Sequence, residues 1–550
     1  MSHPSPTLDV LNQPPPLEDY NSYTSDIPLQ EAVAREGGSW ATEDLTMLGA
    51  LLGSAEMIEH GRLANAHPPE ARLFDRFGHR VNQVRYHPSY HVLMKTSIEN
   101  GIAAQPWSHP RPGSTVARLT KSFLMGQVEQ GHGCPVTMTF AAVPALRAQP
   151  EIAAIWEPRV TSWHYDGADK PADQKAGCTL GMFMTEKQGG SDVRTNITQA
   201  TPDGAASGPG ASYRLVGHKW FCSAPMSDAF LTLAQTAKGL SCFLVPRWHP
   251  DGTRNPMWIQ RLKDKVGNRS NASSEIEYHG AWAQMVGEEG RGVRTIIEMV
   301  QHTRLDCVAG SASQMRHAVA QAVHHARHRE TFGKHIAQHP AMANLLADLQ
   351  LESEAATAVM LRLGRAYDEG HSDPEAKAFA RIATAISKYH ICKRCPSVLY
   401  EAMEVHGGNG YVDDGPMGRL YRDAPLNSIW EGSGNVIALD VLRAMSREPD
   451  AVAAFHAELT AVMGADRRYD AWVQQLMVEL RDTSNLELRA RRLVERMALA
   501  FEASLLLRGA PSAVSDAFLA SRIAGDHGSE LGTLPAGLDY AALIARGGCV

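Results

Sequence analysis

Between Cys178 and about Gly287 the chain changes character, and this change constrains its architecture more than any other feature. Tyr213-Arg214-Leu215-Val216, Ala229-Phe230-Leu231-Thr232-Leu233 and Cys242-Phe243-Leu244-Val245 are short strand-like runs. Pro202-Asp203-Gly204, Gly208-Pro209-Gly210 and Pro250-Asp251-Gly252 supply turns, and Glu275-Ile276-Glu277-Tyr278 alternates as a half-buried strand does. On either side the period is helical. Leu45, Leu48, Leu51 and Leu52, then Val116, Leu119, Phe123 and Leu124, recur at helical spacing before it. Ile296, Ile297, Val300, Val308, Met315, Val319 and Val323 do so after it, followed by Leu345, Leu346, Leu349 and Ile382, Ile386. At 550 residues the chain is too long for one core. The expectation is an α+β multidomain protein: an arm and helical domain over 1–179, a middle antiparallel β domain over 180–288, a helical bundle over 289–445 and a further helical extension over 446–550. Within the bundle, 340–368 and 374–403 read as long helices, whereas 148–178 has no clear period.

Bulk properties narrow the function classes. A net charge of −7 excludes a surface coated in positive charge, so any nucleic-acid binding must use a local patch. Eight cysteines are scattered without metal-ligand spacing, and no metal is expected. Cys392-Lys393-Arg394-Cys395 has a redox spacing but lies in a helical, basic stretch, and reads as two buried thiols. Scattered cysteines suit a reducing compartment, so a cytoplasmic location is expected. The polar start Met1-Ser2-His3-Pro4 does not read as a signal peptide, and no run of 18 apolar residues reads as a membrane span.

Five segments carry chemistry. In Ser428-Ile429-Trp430-Glu431-Gly432-Ser433-Gly434-Asn435 a lone carboxylate precedes a glycine turn and the apolar run Val436-Ile437-Ala438-Leu439. Ser433 or Asn435 is expected to cap the following helix, whose first amides can receive an anion or a polar ligand edge. A surface glutamate favoured by the helix dipole is the plainer reading. Met184-Thr185-Glu186-Lys187-Gln188-Gly189-Gly190-Ser191-Asp192 offers hydroxyls and amides to a flat ring or a phosphate, or is a solvated turn. Trp220-Phe221-Cys222-Ser223 sets a large aromatic near a hydroxyl, or is strand core. Arg329-Glu330-Thr331-Phe332-Gly333-Lys334 offers a guanidinium fork to a pyrophosphate, or a helix-end ion pair. Val405-His406-Gly407-Gly408-Asn409-Gly410-Tyr411 is a glycine turn of the kind that also ends helices.

In this order the segments resemble the acyl-CoA dehydrogenase flavoprotein family: a Thr-Glu loop ending in Gly-Ser-Asp, a Trp-containing strand, Arg-x-x-Phe-Gly, Gly-Gly-x-Gly-Tyr and a closing Glu-Gly, over about residues 40–445. The resemblance implies FAD between the β domain and the bundle, reaching a neighbouring subunit. It implies Glu431 as the base that removes an acyl-CoA α-proton while the flavin accepts the β-hydride. Where some branches carry the base on an earlier helix beside an Arg, this chain has Thr303-Arg304. The implied cofactor contacts are Met182, Met184, Thr185, Gly190, Ser191, Trp220, Phe221, Cys222, Ser223, Phe332, Ile429, Trp430, Gly432, Ser433, Gly434, Asn435 and Leu439, with Arg329 serving a partner subunit's FAD. The chain departs from the pattern at Pro340 and Glu404, each standing where the family has Gln, and at Trp430, which stands where it has Tyr.

Those departures, together with Gly217-His218-Lys219-Trp220-Phe221, Leu262-Lys263-Asp264-Lys265, Gly267-Asn268-Arg269-Ser270-Asn271-Ala272-Ser273, Gly61-Arg62-Leu63-Ala64-Asn65 and the Asn12-Gln13-Pro14 arm, are similar to the AidB-type branch. That likeness implies a homotetramer of the bacterial response to DNA alkylation. It implies binding of double-stranded DNA through the C-terminal region, with weak dehydrogenase activity toward isovaleryl-CoA. The sequence gives DNA binding modest support. Residues 451–550 hold ten Arg and no Lys against twelve acidic residues. Arg481, Arg489, Arg492 and Arg496 are expected roughly on one helical face, which Arg443 and Arg447 extend. Inter-subunit salt bridges are the alternative use of that face. A fully active acyl-CoA dehydrogenase of unusual substrate range is the rival reading, and a flavin-bearing scaffold a third.

Overall fold

The computed structural model describes residues 10–548; the first nine residues of the Pro-rich arm lie outside the described residues. The chain divides into two compact units, one of residues 56–307 and one of residues 1–55 with 308–550.

In the first unit the helices Pro88–Glu99, Ser114–Val128, Gly133–Arg147 and Pro150–Val160 form the helical part. Ser114–Val128 is buried along almost its whole length. Even Arg118 lies in the interior, where its guanidinium meets the Asp306 carboxylate and Thr137 donates to the same carboxylate at 2.7 Å. A buried charge survives there because a partner of opposite sign accompanies it. Pro150–Val160 supplies a helix where the sequence had no readable period. A hairpin, Glu70–Phe74 with Arg80–Arg85, also escaped the sequence reading, because its first strand is mostly exposed, its second mostly half-buried, and neither alternates. Its turn is built by Asp75, whose side chain accepts from the Phe77 and His79 amides at 2.8 and 2.9 Å.

The strands from Leu180 to Val286 form one seven-stranded sheet. Ala229–Thr236 pairs with Gln199–Pro202, which pairs with Ser212–Ser223, then Ser273–Val286, then Gly239–Pro246, which returns to Ala229–Thr236. The pairings therefore close a ring around a core that includes Phe183, Tyr213, Leu215, Phe230, Phe243, Ile276 and Tyr278. The sheet is mixed rather than purely antiparallel: Leu180–Phe183 runs parallel to Ala229–Thr236. The long excursion between them permits a parallel pair, which a tight turn could not.

In the second unit the chain continues from the 37-residue helix Gly292–His328 into Pro340–Glu369, Pro374–Val405 and Gly434–Arg447. Pro340 and Pro374 each occupy the first helical position, where a missing N–H costs nothing. Pro374–Val405 is the central helix. It packs on Pro340–Glu369, Gly434–Arg447, Pro449–Thr460 and Leu486–Gly509. The residues beyond 445 are thus part of the bundle: Phe379 meets Phe455 and Phe501 with ring centroids 6.4 and 5.6 Å apart. An early and a late segment of the chain meet on one side chain. Buried Arg316 pairs with Asp26 at 2.9 Å and donates to the Gly547 carbonyl at 2.8 Å, while Arg327 donates to the Gly548 carbonyl at 3.0 Å. Among the described residues no helix is long and apolar enough to cross a membrane.

Candidate functional site

The β layer presents the Thr-Glu loop beside the Trp strand. Glu186 organises the loop from inside. Its buried carboxylate accepts from Lys219 Nζ at 2.8 Å, Thr198 Oγ1 at 2.6 Å, the Ile197 amide at 2.7 Å and Gln188 Nε2 at 2.9 Å. Burial alone would raise its pKa, but Lys219 and these donors outweigh burial and hold it at about 2. The Trp220 amide donates to the Thr185 carbonyl at 2.9 Å, so loop and strand are joined at that point. Ser212–Ser223 carries a register break between Lys219 and Cys222. The extra residue turns Phe221 outward, 56% exposed, while Cys222 points into the barrel core. This corrects one expectation: the Cys222 thiol, fully buried with its pKa raised by that burial, cannot face a ligand, and only its backbone can. Lys263 Nζ lies 3.8 Å over the Trp220 ring and 4.6 Å over Phe221. Gly190 abuts Thr185, where an added Cβ would come within 2.4 Å of the hydroxyl. Met182, Met184 and Thr185 are half-buried, and Gly190 and Ser191 are exposed.

The helical unit presents Glu431 in an unusual backbone. Its φ is +57°, in the left-handed region that disfavours side chains by roughly 1–2 kcal/mol. Gly432 follows at +105°. The following contacts help to hold this turn. Lys388, buried on Pro374–Val405, donates to the Trp430 carbonyl at 2.9 Å and to the Gly432 carbonyl. The Trp430 indole donates to Asn427 Oδ1 at 3.0 Å. Gly432 lies against Ile437, where a Cβ would come within 2.8 Å of Cδ1. Ser433 occupies the cap of Gly434–Arg447, but its hydroxyl makes no capping hydrogen bond. Asn435 lies inside the helix and cannot serve as its cap. The expected cap is thus replaced by bare first-turn amides. Ile429, Ser433, Asn435 and Leu439 are exposed, with Gly434 half-exposed beside Lys393. Lys388 has no place in the motifs of the sequence. The available signal was a lysine amid the apolar run of a helix, Ile382 to Ile391.

Arg329 does not stand alone. Its guanidinium donates to the Asn12 carbonyl, the Glu330 amide donates to Asn12 Oδ1 at 2.7 Å, and Asn12 Nδ2 donates to the Glu330 carbonyl at 2.8 Å. The arm thus clasps the hairpin whose tip is Phe332, 98% exposed at φ +51°. Nearby His325 packs against the His406 ring; burial, with His406 and Arg329, lowers its pKa to about 4.

The expected arginine face is corrected. Arg481 ends one helix, Arg467–Arg481, whereas Arg489, Arg492 and Arg496 lie on the next, Leu486–Gly509. Asp482 accepts from Ser484 and Asn485 turns left-handed, so the helix cannot run through. Acidic side chains accompany these arginines: Glu479 lies 3.5 Å from both Arg492 and Arg496, Asp482 lies 3.2 Å from Arg489, and Asp440 lies 3.5 Å from Arg443. Arg443, Arg447, Arg481 and Arg492 are exposed.

Residues 12–167 match the family described as the adaptive response protein AidB N-terminal domain, 181–281 the acyl-CoA dehydrogenase middle domain, and 290–446 the acyl-CoA dehydrogenase C-terminal domain. The AidB protein of Escherichia coli (strain K12) is 46% identical over 86% of this chain and 87% of its own length. Among solved structures, Caenorhabditis elegans ACDH-11 in complex with C11-CoA has a TM-score of 0.85 at 25% identity, covering all of this chain and 94% of that one. The apo form of Bd2924 has a TM-score of 0.82 at 27% identity, covering 90% of this chain and 98% of that one. With its N-terminal helical, middle β and C-terminal helical domains, the chain belongs to the AidB branch of the acyl-CoA dehydrogenase family.

Proposed function

We propose that this protein binds double-stranded DNA and shields it during alkylation damage, and that it oxidises acyl-CoA thioesters of the isovaleryl-CoA type slowly. FAD is the cofactor of its family. The residues present fit that group. The β layer offers Met182, Met184, Thr185, Gly190 and Ser191 with the outward Trp220-Phe221 and Ser223, and the Gly190–Thr185 contact leaves no room for a bulkier side chain. The helical unit offers Ile429, Trp430, Gly432, Ser433, Gly434, Asn435 and Leu439 around uncapped amides. Phe332 adds a further cofactor contact, and Arg329 serves the FAD of a neighbouring subunit in a homotetramer. These residues would hold FAD, which when bound would supply an acceptor for the substrate's β-hydride. Glu431 takes the α-proton on its carboxylate, Lys388 and Asn427 fix the turn that carries it, and Trp430 narrows the space for the acyl chain.

The observation that carries the catalytic part is the single glutamate held at positive φ in a turn bound on both sides. A panel of acyl-CoAs should give turnover far below the enzyme median of about 10 s⁻¹; a rate near that value selects the fully active dehydrogenase instead. The exposed Arg443, Arg447, Arg481 and Arg492 support the DNA part. Because the extension packs on the bundle, substitution is a cleaner test than truncation. Duplex DNA is titrated at several salt concentrations, and each arginine lost from a phosphate contact should reduce the salt slope by roughly 0.9. A slope untouched by all four substitutions would move the contact elsewhere.

A further inference from the structure

Lys388 sits inside the helical unit, 1% exposed, midway along Pro374–Val405. Its two bonds reach the carbonyl of the residue before Glu431 and the carbonyl of the residue after it. One ammonium therefore grips the main chain on both sides of a single side chain. With both carbonyls fixed, the backbone rotations at Glu431 and Gly432 are fixed too, and with them the direction of the Glu431 Cα–Cβ bond. The other two contacts act elsewhere: Asn427 holds the Trp430 ring, and Ile437 backs Gly432. Neither bridges position 431.

A lysine is a costly way to fill space in a helical core, since carbonyl dipoles offset a buried charge less well than a carboxylate does. Methionine would fill a similar volume without that cost. What methionine lacks is the pair of donors, and those donors are spent on the left-handed turn at Glu431. We propose that Lys388 is a positioning residue for proton abstraction: it holds position 431 left-handed and so aims the glutamate at the substrate α-carbon. This rests on the reading of Glu431 as the base.

The test uses the flavin-loaded protein and the variants K388M, K388R, E431Q, E431G and K388M/E431G. Isovaleryl-CoA is mixed anaerobically with each, and flavin reduction is followed per bound flavin. K388M should lower the limiting rate at least tenfold with the apparent Kd for the thioester changed less than threefold. Reduction by dithionite should be unaffected, and K388R should recover part of the rate. A limiting rate for K388M equal to wild type overturns the proposal. A second readout does not depend on chemistry. Glycine adopts positive φ without strain, so the drop in Tm caused by K388M should be clearly smaller in the E431G background than in wild type. Equal drops in both backgrounds would mean that Lys388 stabilises the bundle without holding the turn, and would overturn the proposal. If E431Q keeps the full rate, the base assignment fails, and the Tm cycle still decides whether Lys388 sets the conformation at 431. Should K388M not fold, K388Q takes its place in both measurements.

Discussion

Glu186 and Glu431 make an instructive pair. Both stand within a few residues of paired or spaced glycines, and both have a buried lysine nearby in the fold. Lys219 bonds the carboxylate of Glu186 itself, which is buried and saturated with donors. Lys388 instead bonds the main chain around Glu431 and leaves the orientation of that side chain as its product. One glutamate is a structural anchor and the other a candidate reagent. Local sequence does not separate them; what the neighbouring lysine binds does.

The contrast can be broken most sharply at Glu431. E431Q should lower flavin reduction by acyl-CoA by roughly 10²–10⁴-fold while FAD stays bound and the unfolding midpoint hardly moves. An unchanged rate would erase the functional half of the contrast. E186Q should do the reverse. Leaving Lys219 buried without its partner costs about 3–5 kcal/mol in denaturant unfolding. The rate per bound flavin among folded molecules should change far less than in E431Q. Acid sharpens the same point. The Glu186 pKa lies below its ordinary 4.5, at about 2. Its contribution to stability is therefore fully present above pH 4.5 and is lost as pH falls toward 2, a loss that E186Q should not display. A smaller change belongs to the helical unit. His325, with its pKa lowered to about 4, favours folding when neutral, so that part of stability declines between pH 6.5 and 4. H325Q should flatten this decline, measured by unfolding across that window.

Much of this was legible before any coordinates. The switch from period 3.6 to short strands located the β layer, and ordered motifs pointed to the loop at Thr185–Asp192 and the turn at Glu431. What escaped had physical causes. The hairpin Glu70–Phe74 with Arg80–Arg85 has one mostly exposed and one mostly half-buried strand and leaves no alternating pattern. The closing of the strand ring depends on pairings such as Gln199 with Gln235, far apart in sequence. The arginine face was split by a turn whose signal, Asp482 to Asn485, was outweighed by helical spacing on either side. Lys388 reads as an ordinary helix residue until the main chain it holds, more than forty positions later, is placed beside it.

Arg316 joins the first part of the chain to the last, taking Asp26 on one side and the Gly547 carbonyl on the other. During synthesis Asp26 is made long before Arg316, and Gly547 follows Arg316 by 231 residues. The seam at Arg316 therefore cannot close until residue 547 has been made. A chain that has not yet reached residue 547 leaves Arg316 with Asp26 but without this second anchor, so the contact that ties the early segment to the late one is the last of the two to form.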